Sequence, residues 1–507
     1  MVLLGDTATR LQVWDAIRSL DYLASHPLVD PKRLASTGQS GGGTLTMFLA
    51  CADERLAAAA VAGGNTENFA CAGFHPPGST DDAEQNFLHS APLGFDRWDL
   101  LYPLAPKPLL ISVSDKDFFG TYSPSYISSG WEEFRKLRRI YRILGRSEQL
   151  AWTSTPLPHG LSYDTRLKIY NWLNRWLKGQ TQPLEQEPPA SPEPERTLWV
   201  SDSGSIVTSF GSLTPFELNR RNLSARRPRR PSAEGLTRLL ALERPGPACG
   251  LRILARVPGN GLQIEAVETP SATPVWLPAW LFLPDSEDRS KPVLLLLDPA
   301  GRNARWREGE LCQQLAAGGW PVCAADLRGI GDLAPEFSGG AAHYARSHNE
   351  EEHYAWASLI LGRPLVGQRV TDILALVTGL AAHRALTGRP IHVAARGPLT
   401  IPALFAAALE ARIAHLYLAG GLVSFRNLVE TENYTHPFGN FLFGVLRELD
   451  LPELATMIAP RQVRLAGTVN AAGRRLEEAE VRGVWGQENV RIEREASWDA
   501  RGLTAHG

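Results

Sequence analysis

Residues 38–42 read Gly-Gln-Ser-Gly-Gly, a G-x-S-x-G pentapeptide of the kind that can carry a nucleophile. A serine hydroxyl attacks poorly until a base removes its proton and a carboxylate orients that base. The chain supplies both groups downstream. "LLISVSDKDFFG" puts Asp115 and Asp117 at the end of an expected strand, and "STPLPHGLSYD" sets His159 in a proline- and glycine-marked loop before an expected helix. Asp117, just past the strand, is better placed to point back at the sheet end, and Asp115 reads as a turn residue. His75 and His89 come before the acid strand, which is the wrong order for a turn followed by acid and then histidine. Ser40, Asp117 and His159 are the expected nucleophile, acid and base.

Such a set works only if a sheet holds it. "RLAST" reads as a short strand into the Ser40 turn, and "GGGTLTMFLACA" as a helix of small and apolar residues. Upstream, Leu11, Trp14, Ile17, Leu20 and Leu23 recur at helical spacing. "RLAAAAVAGG" and "PKPLLISVSD" are short apolar runs that suit buried parallel strands, and "TRLKIYNWLNRWLKG" is an amphipathic helix stopped by Gly179. Strands alternating with helices predict a doubly wound α/β sheet. The stretch "QTQPLEQEPPASPEPER" then reads as an exposed, stiff linker. From about residue 250 a second alternation begins, with strands in "LQIEAVET", "VWLPAWLFLP", "PVLLLLDPAG", "PVCAADLRG", "IHVAARG", "IAHLYLAGG" and "RQVRLAGTV".

The halves repeat each other. "LLGDTATRLQVWDAIRSLDYL" lies over "ILGRPLVGQRVTDILALVTGL" without a gap, and "LAPKPLLISVSDKD" over "IAPRQVRLAGTVN". Two matches in the same order argue for duplication of one α/β unit. In the second copy four strands precede the matched helix, so the first copy reads as a domain that lacks its N-terminal strands. The expected organisation is residues 1–180 as the back part of a catalytic domain and 181–245 as linker and connection. Residues 246–485 follow as an altered hydrolase-like domain, and 486–507 as a tail. In the second copy "VAARGPL" puts Arg396 at the serine position and Pro398 at that of Gly42, with Asn470 or Ala471 at the acid. No histidine follows until His506. This copy is expected to be non-catalytic.

"GQSGGGT", "DDAEQNF", "APKPLLISVSDKDFFG" and "HGLSYDTRLKIYNWLNRWL" together resemble the acetyl-xylan-esterase-like branch of the α/β-hydrolase superfamily, distantly similar to dienelactone hydrolases. The resemblance implies that Ser40 is acylated, that His159 acts as base and then acid, and that Asp117 holds His159. It implies the Gly41 N–H as one oxyanion donor and a second donor from a loop after an early strand. It also implies a substrate pocket near "DDAEQNF", where Gln39, Asp82, Glu84 and Gln85 meet sugar hydroxyls or brace the loop, with Trp98 and Phe118 as walls. The substrate would be a small-molecule or carbohydrate ester. A peptidase of the prolyl-oligopeptidase type shares the residue order and is the alternative enzyme, and a binding or scaffold protein is the alternative outside enzymes.

Composition narrows the field. At 507 residues the chain exceeds one core. A formal net charge of −2 gives no reason to expect nucleic acid, and the arginines of "NRRNLSARRPRRP" lack interleaved aromatics. No uncharged apolar run of about 18 residues predicts a membrane span. The opening residues lack the pattern of a signal peptide, which leaves the compartment undetermined. The five cysteines have no metal-site spacing, although Cys51 and Cys71 flank one strand. In "HNEEEH", His348 and His353 are off a common helical face and read as solvated. No metal or cofactor is expected, and oligomeric state is not legible.

Overall fold

Short runs of Ala, Val, Leu and Ile between turn residues fold here as the buried central strands of a parallel sheet, with more exposed strands at its edges. β1 (Leu34–Gln39), β2 (Leu56–Ala62), β3 (Leu109–Lys116) and β4 (Leu150–Pro158) form a four-stranded parallel sheet in that order. Helices α1 (Ala8–Ser25), α2 (Gly41–Ala52), α3 (Tyr126–Ile143) and α4 (Tyr163–Lys178) follow the expected alternation. Met47, Phe48, Val61, Leu101, Ile111 and Leu137 fill one core, while Ala60, Ala62, Leu110, Ile169 and Trp172 fill another. Successive residues of β2 and β3 thus alternate between the two cores, as strand geometry requires.

This computed structural model describes residues 1–64, 82–117, 126–224, 231–243, 250–272, 274–286, 289–335 and 350–505. It contains two compact units. The Ser40 unit comprises Thr7–Ser212 and Glu336–Gly362, and so includes helix α5 (Glu350–Ile360). The other unit comprises Met1–Asp6, Leu213–Pro335 and Arg363–Gly507.

The second unit is built on a nine-stranded sheet. Its strands are β5 (Arg252–Gly259), β6 (Leu262–Pro270), β7 (Trp276–Pro284), β8 (Val293–Leu297), β9 (Val322–Ala325), β10 (Ile391–Arg396), β11 (Ile413–Ala419), β12 (Gln462–Ala466) and β13 (Val490–Glu493). Their order is β13-β12-β11-β10-β8-β9-β7-β6-β5. The strands from β9 to β13 pair in parallel, and β5, β6, β7 and β9 pair antiparallel. Helix α6 (Leu365–Ala382) precedes β10, and α7 (Thr400–Leu409) follows it. By length and composition α6 is apolar enough to cross a membrane, with mean hydropathy 1.3, but 78% of it is buried within the fold.

The two sheets correspond in the backbone. α1 and α6 each have 18 residues, and Leu34, the first residue of β1, and Ile391, the first of β10, stand 357 positions apart. The same spacing separates Leu56 from Ile413 at the starts of β2 and β11. Both strand pairs shift register after their first residue, at Leu34/Ala35 and at Ile391/His392. β1 to β4 thus repeat β10 to β13, and the Ser40 sheet has no described counterpart of β5 to β9.

Two details differ from the sequence expectation. The stretch after Gly179 is not free along its whole length. Arg166 grips the Glu187 carboxylate with two hydrogen bonds, 2.6 and 2.8 Å long, and Asn171 exchanges two bonds with the backbone of Leu184. Strands β5 and β13 were also not anticipated, for reasons of exposure and length taken up below.

Candidate active site

The turn after β1 is tight. Ser40 has φ 59° and ψ −125°, a conformation that costs a non-glycine residue and recurs at functional sites. Its N–H donates to the Ala62 carbonyl at 2.9 Å, which ties the turn to the end of β2. Gly38 makes the turn possible: a Cβ there would lie 2.3 Å from the Gly42 backbone. α2 starts directly after Ser40, so the Gly41 N–H has no acceptor within its helix and stands at the positive end of the helix dipole.

Asp117 and His159 meet at the same sheet end. Asp117 follows β3 and is buried, whereas Asp115 is exposed. His159 follows β4 and remains partly open to solvent. Its Nδ1 lies 2.7 Å from Asp117 Oδ1, a short, charge-assisted contact. A carboxylate acceptor on Nδ1 fixes the tautomer with the proton on that nitrogen. His159 Nε2 is then an acceptor, and the Gln39 amide nitrogen lies 2.9 Å from it. Among the described residues, the Ser40 hydroxyl makes no hydrogen bond. Beneath these groups sits Gly63 (φ 50°), where a Cβ would stand 3.6 Å from Asp117 Oδ2, Gln39 Nε2 and His159 Cε1. Nothing in the sequence beyond the "AGG" turn announces this residue.

The "DDAEQNF" loop reaches the same turn. Gln85 is buried: it accepts from Thr44 Oγ1 at 2.7 Å and donates to Asp82 Oδ2 at 2.9 Å and Glu84 Oε1 at 3.3 Å. Gln85 and Asp82 therefore brace the loop against α2. A Cβ on Gly41 would lie 3.6 Å from Gln85 Nε2 and 4.0 Å from Glu84 Oε1, which puts Glu84 beside Gly41, the residue expected to supply an oxyanion donor. Trp98 is a correction. It is 1% exposed and packed in the core with Leu101 and Phe48, where no sugar can reach it. Its place follows from the eight-residue 3-10 helix Arg97–Leu104, which a capping box of Asp96 and Asp99 starts and which turns Trp98 inward. Phe118, His75 and Cys71 lie outside the described residues. Cys51 is an exposed free thiol, and the His89 N–H bonds the Leu359 carbonyl. Among the described residues no group of His, Cys, Asp and Glu is arranged to hold a metal ion.

The repeat corrects a second expectation. At the 357-residue spacing Gln39 and Arg396 are the last residues of β1 and β10, so the counterpart of Ser40 is Gly397, not Arg396. Gly397 keeps the positive φ, 54°, while Arg396 is extended at φ −121°. Pro398 then stands where Gly41 stands and has no N–H to donate. With Leu109 of β3 and Val463 of β12 in equivalent register, Asp117 corresponds to the buried Ala471. His506 lies outside the described residues.

Residues 9–124 match the profile of the prolyl oligopeptidase family. No curated protein sequence matches the chain. Solved structures similar to it include an acetyl xylan esterase from Paenibacillus sp. R4, at 17% identity over 54% of this chain and 88% of that one, TM-score 0.38. Acetyl xylan esterase 1 from Thermoanaerobacterium sp. is 16% identical over 56% of this chain and 96% of that one, TM-score 0.38. A glucuronoyl esterase from Solibacter usitatus is 14% identical over 55% and 89%, TM-score 0.37. With strand, turn and helix arranged around Ser40 and the strand order repeated in the larger sheet, both sheets are of the α/β-hydrolase kind, and residues 9–124 carry the match to the prolyl oligopeptidase family.

Proposed function

We propose that the Ser40 unit is a serine carboxylester hydrolase that acts on acyl, above all acetyl, esters, with esters of carbohydrates such as xylan among its substrates. One observation carries this reading: His159, held by Asp117 at 2.7 Å, stands at the sheet end that also presents Ser40 on a strained turn. In the reaction His159 Nε2 leaves the Gln39 amide and takes the Ser40 proton as Oγ attacks the ester carbonyl. Asp117 stabilises the imidazolium that results. The Gly41 N–H donates to the oxyanion, and one such donor is worth about 100- to 1,000-fold in turnover. His159 then protonates the departing alcohol. A water molecule, deprotonated by the same nitrogen, releases the acid and restores Ser40. The second unit, with Gly397, Pro398 and Ala471 at the equivalent positions, is a non-catalytic partner in this scheme.

The test is hydrolysis of p-nitrophenyl acetate by the whole chain, with Ser40→Ala as the paired variant. The expected result is turnover by the parent that falls by at least about 1,000-fold in the variant. Equal inertness of two well-folded proteins would overturn the reading. The family match over residues 9–124 favours a second one, a peptidase of the prolyl-oligopeptidase type. Cleavage of a prolyl p-nitroanilide with acetyl ester left intact would select it.

A further inference from the structure

The unit boundaries do not follow the repeats. Residues 1–6 open the first repeat but belong to the nine-stranded unit, while 350–362 lead into α6 of the second repeat but belong to the Ser40 unit. These two leads are counterparts: at the 357-residue spacing Val2 matches Leu359 and Gly5 matches Gly362. They are also held alike. In the nine-stranded unit the Gly444 N–H donates to the Val2 carbonyl at 2.8 Å, and Arg447 donates to the carbonyls of Leu4 and Gly5 at 2.8 and 2.7 Å. In the Ser40 unit the His89 N–H donates to the Leu359 carbonyl at 3.0 Å. Both glycines have positive φ, 71° and 66°, and both sit tight, with a Cβ on Gly362 coming within 2.7 Å of Pro92. Leu3, Leu4, Trp356, Leu359 and Ile360 are all buried. The loops that supply these donors correspond too: "NFL" recurs at 86–88 and 440–442, ahead of the capping boxes of Asp96 and Asp450, with His89 one residue and Gly444 two residues past it.

We propose that the two repeats have exchanged the segments that lead into their first helices, so that the second repeat completes the Ser40 unit with residues 350–362 and the first repeat completes the nine-stranded unit with residues 1–6. Exchange of an identical element between two copies is the ordinary route to a swapped dimer. Here both copies lie in one chain. The altered repeat thereby has a use that needs no chemistry of its own. Its arm bonds His89, four residues past the Gln85 brace that stands over Gly41. The proposal concerns which repeat supports which fold and does not depend on Ser40 being a nucleophile.

The exchange predicts crossed effects. Hydrogen exchange with mass spectrometry is measured on the whole chain, on Leu359→Ala and on Leu3→Ala, each a conservative truncation of a buried side chain. Leu359→Ala is expected to speed exchange by about tenfold or more in peptides covering 86–104 and to leave those covering 440–450 unchanged. Leu3→Ala should do the reverse. If each variant loosens the unit that holds most of its own repeat, the exchange is wrong. Equal responses of both regions to both variants, or no response to either, would equally overturn it. A milder pair, Leu359→Val and Leu3→Val, gives the same crossed readout if an alanine variant does not fold.

Discussion

In the proposed mechanism Gln39 competes with Ser40 for one lone pair. There His159 Nε2 must accept the serine proton, yet the Gln39 amide nitrogen lies 2.9 Å from it while Asp117 holds the other ring nitrogen. The amide must give way before the proton can move, so Gln39→Leu, which removes the competing donor, is expected to keep or raise kcat for p-nitrophenyl acetate within about threefold. A loss of about 100-fold or more would show that this amide positions the ring instead of competing for it.

At the scale of the elements, the Ser40 turn depends on how closely β1 approaches α2. A methyl group on Gly38 would meet the Gly42 carbonyl carbon and oxygen at 2.3 Å, and backbone cannot give way as a flexible side chain can. The second repeat carries Ala395 at this position, and there the helix opens with a 3-10 turn, Gly397–Leu399, before α7. Gly38→Ala is therefore expected to cost about 2 kcal/mol or more of stability and most of the esterase activity. Thermal unfolding together with ester turnover checks this, and a fully active variant with an unchanged midpoint would contradict it. The same elements show what a sequence discloses. Apolar runs between turn residues are legible as strands in either kind of pairing, which is why β1 to β3 and β6 to β12 were expected where they lie. β5 is mostly exposed and lacks a clear apolar alternation, and β13 is short and carries Arg491 and Glu493 within a charged stretch, where the equally short β9 is all apolar, so neither gave a signal. Chain order alone brought Asp117 and His159 together. The side-chain direction of Gln39 and the one-residue offset that makes Gly397 the partner of Ser40 are backbone facts, and they emerge only with φ. The capping pattern Asp96-x-x-Asp99 was present in the sequence and would have turned Trp98 into the core.

For the molecule as a whole, the larger unit carries a built-in sensitivity to acid. β10 and β11 set His392 beside His415, ring centroids 5.2 Å apart, and burial lowers the His392 pKa to about 4. Burial does the same to His436. Each of these rings must stay neutral in the folded state, whereas in the unfolded chain it takes up a proton near the ordinary value of about 6.5. Between pH 6.5 and 4 the unfolded state thus binds more protons, and stability falls as pH falls. Buried carboxyls work against this. Asp450 is pushed up to about 6 by burial and Asp326 is raised for the same reason, so protonation of these two favours the fold over part of that range. The net slope depends on all four groups, but one substitution isolates one of them. His392→Gln removes a ring that takes up its proton at a much lower pH in the fold than in the unfolded chain, and leaves Asp450, Asp326 and His436 in place. The stability difference between parent and variant should therefore shift in favour of the variant by about 2 kcal/mol between pH 7 and pH 4, allowing for the partial exposure of His392. Urea unfolding at the two pH values measures it. A difference that does not change with pH would mean that His392 is protonated as readily in the fold as in the open chain, and that its place between β8 and β11 does not keep it neutral.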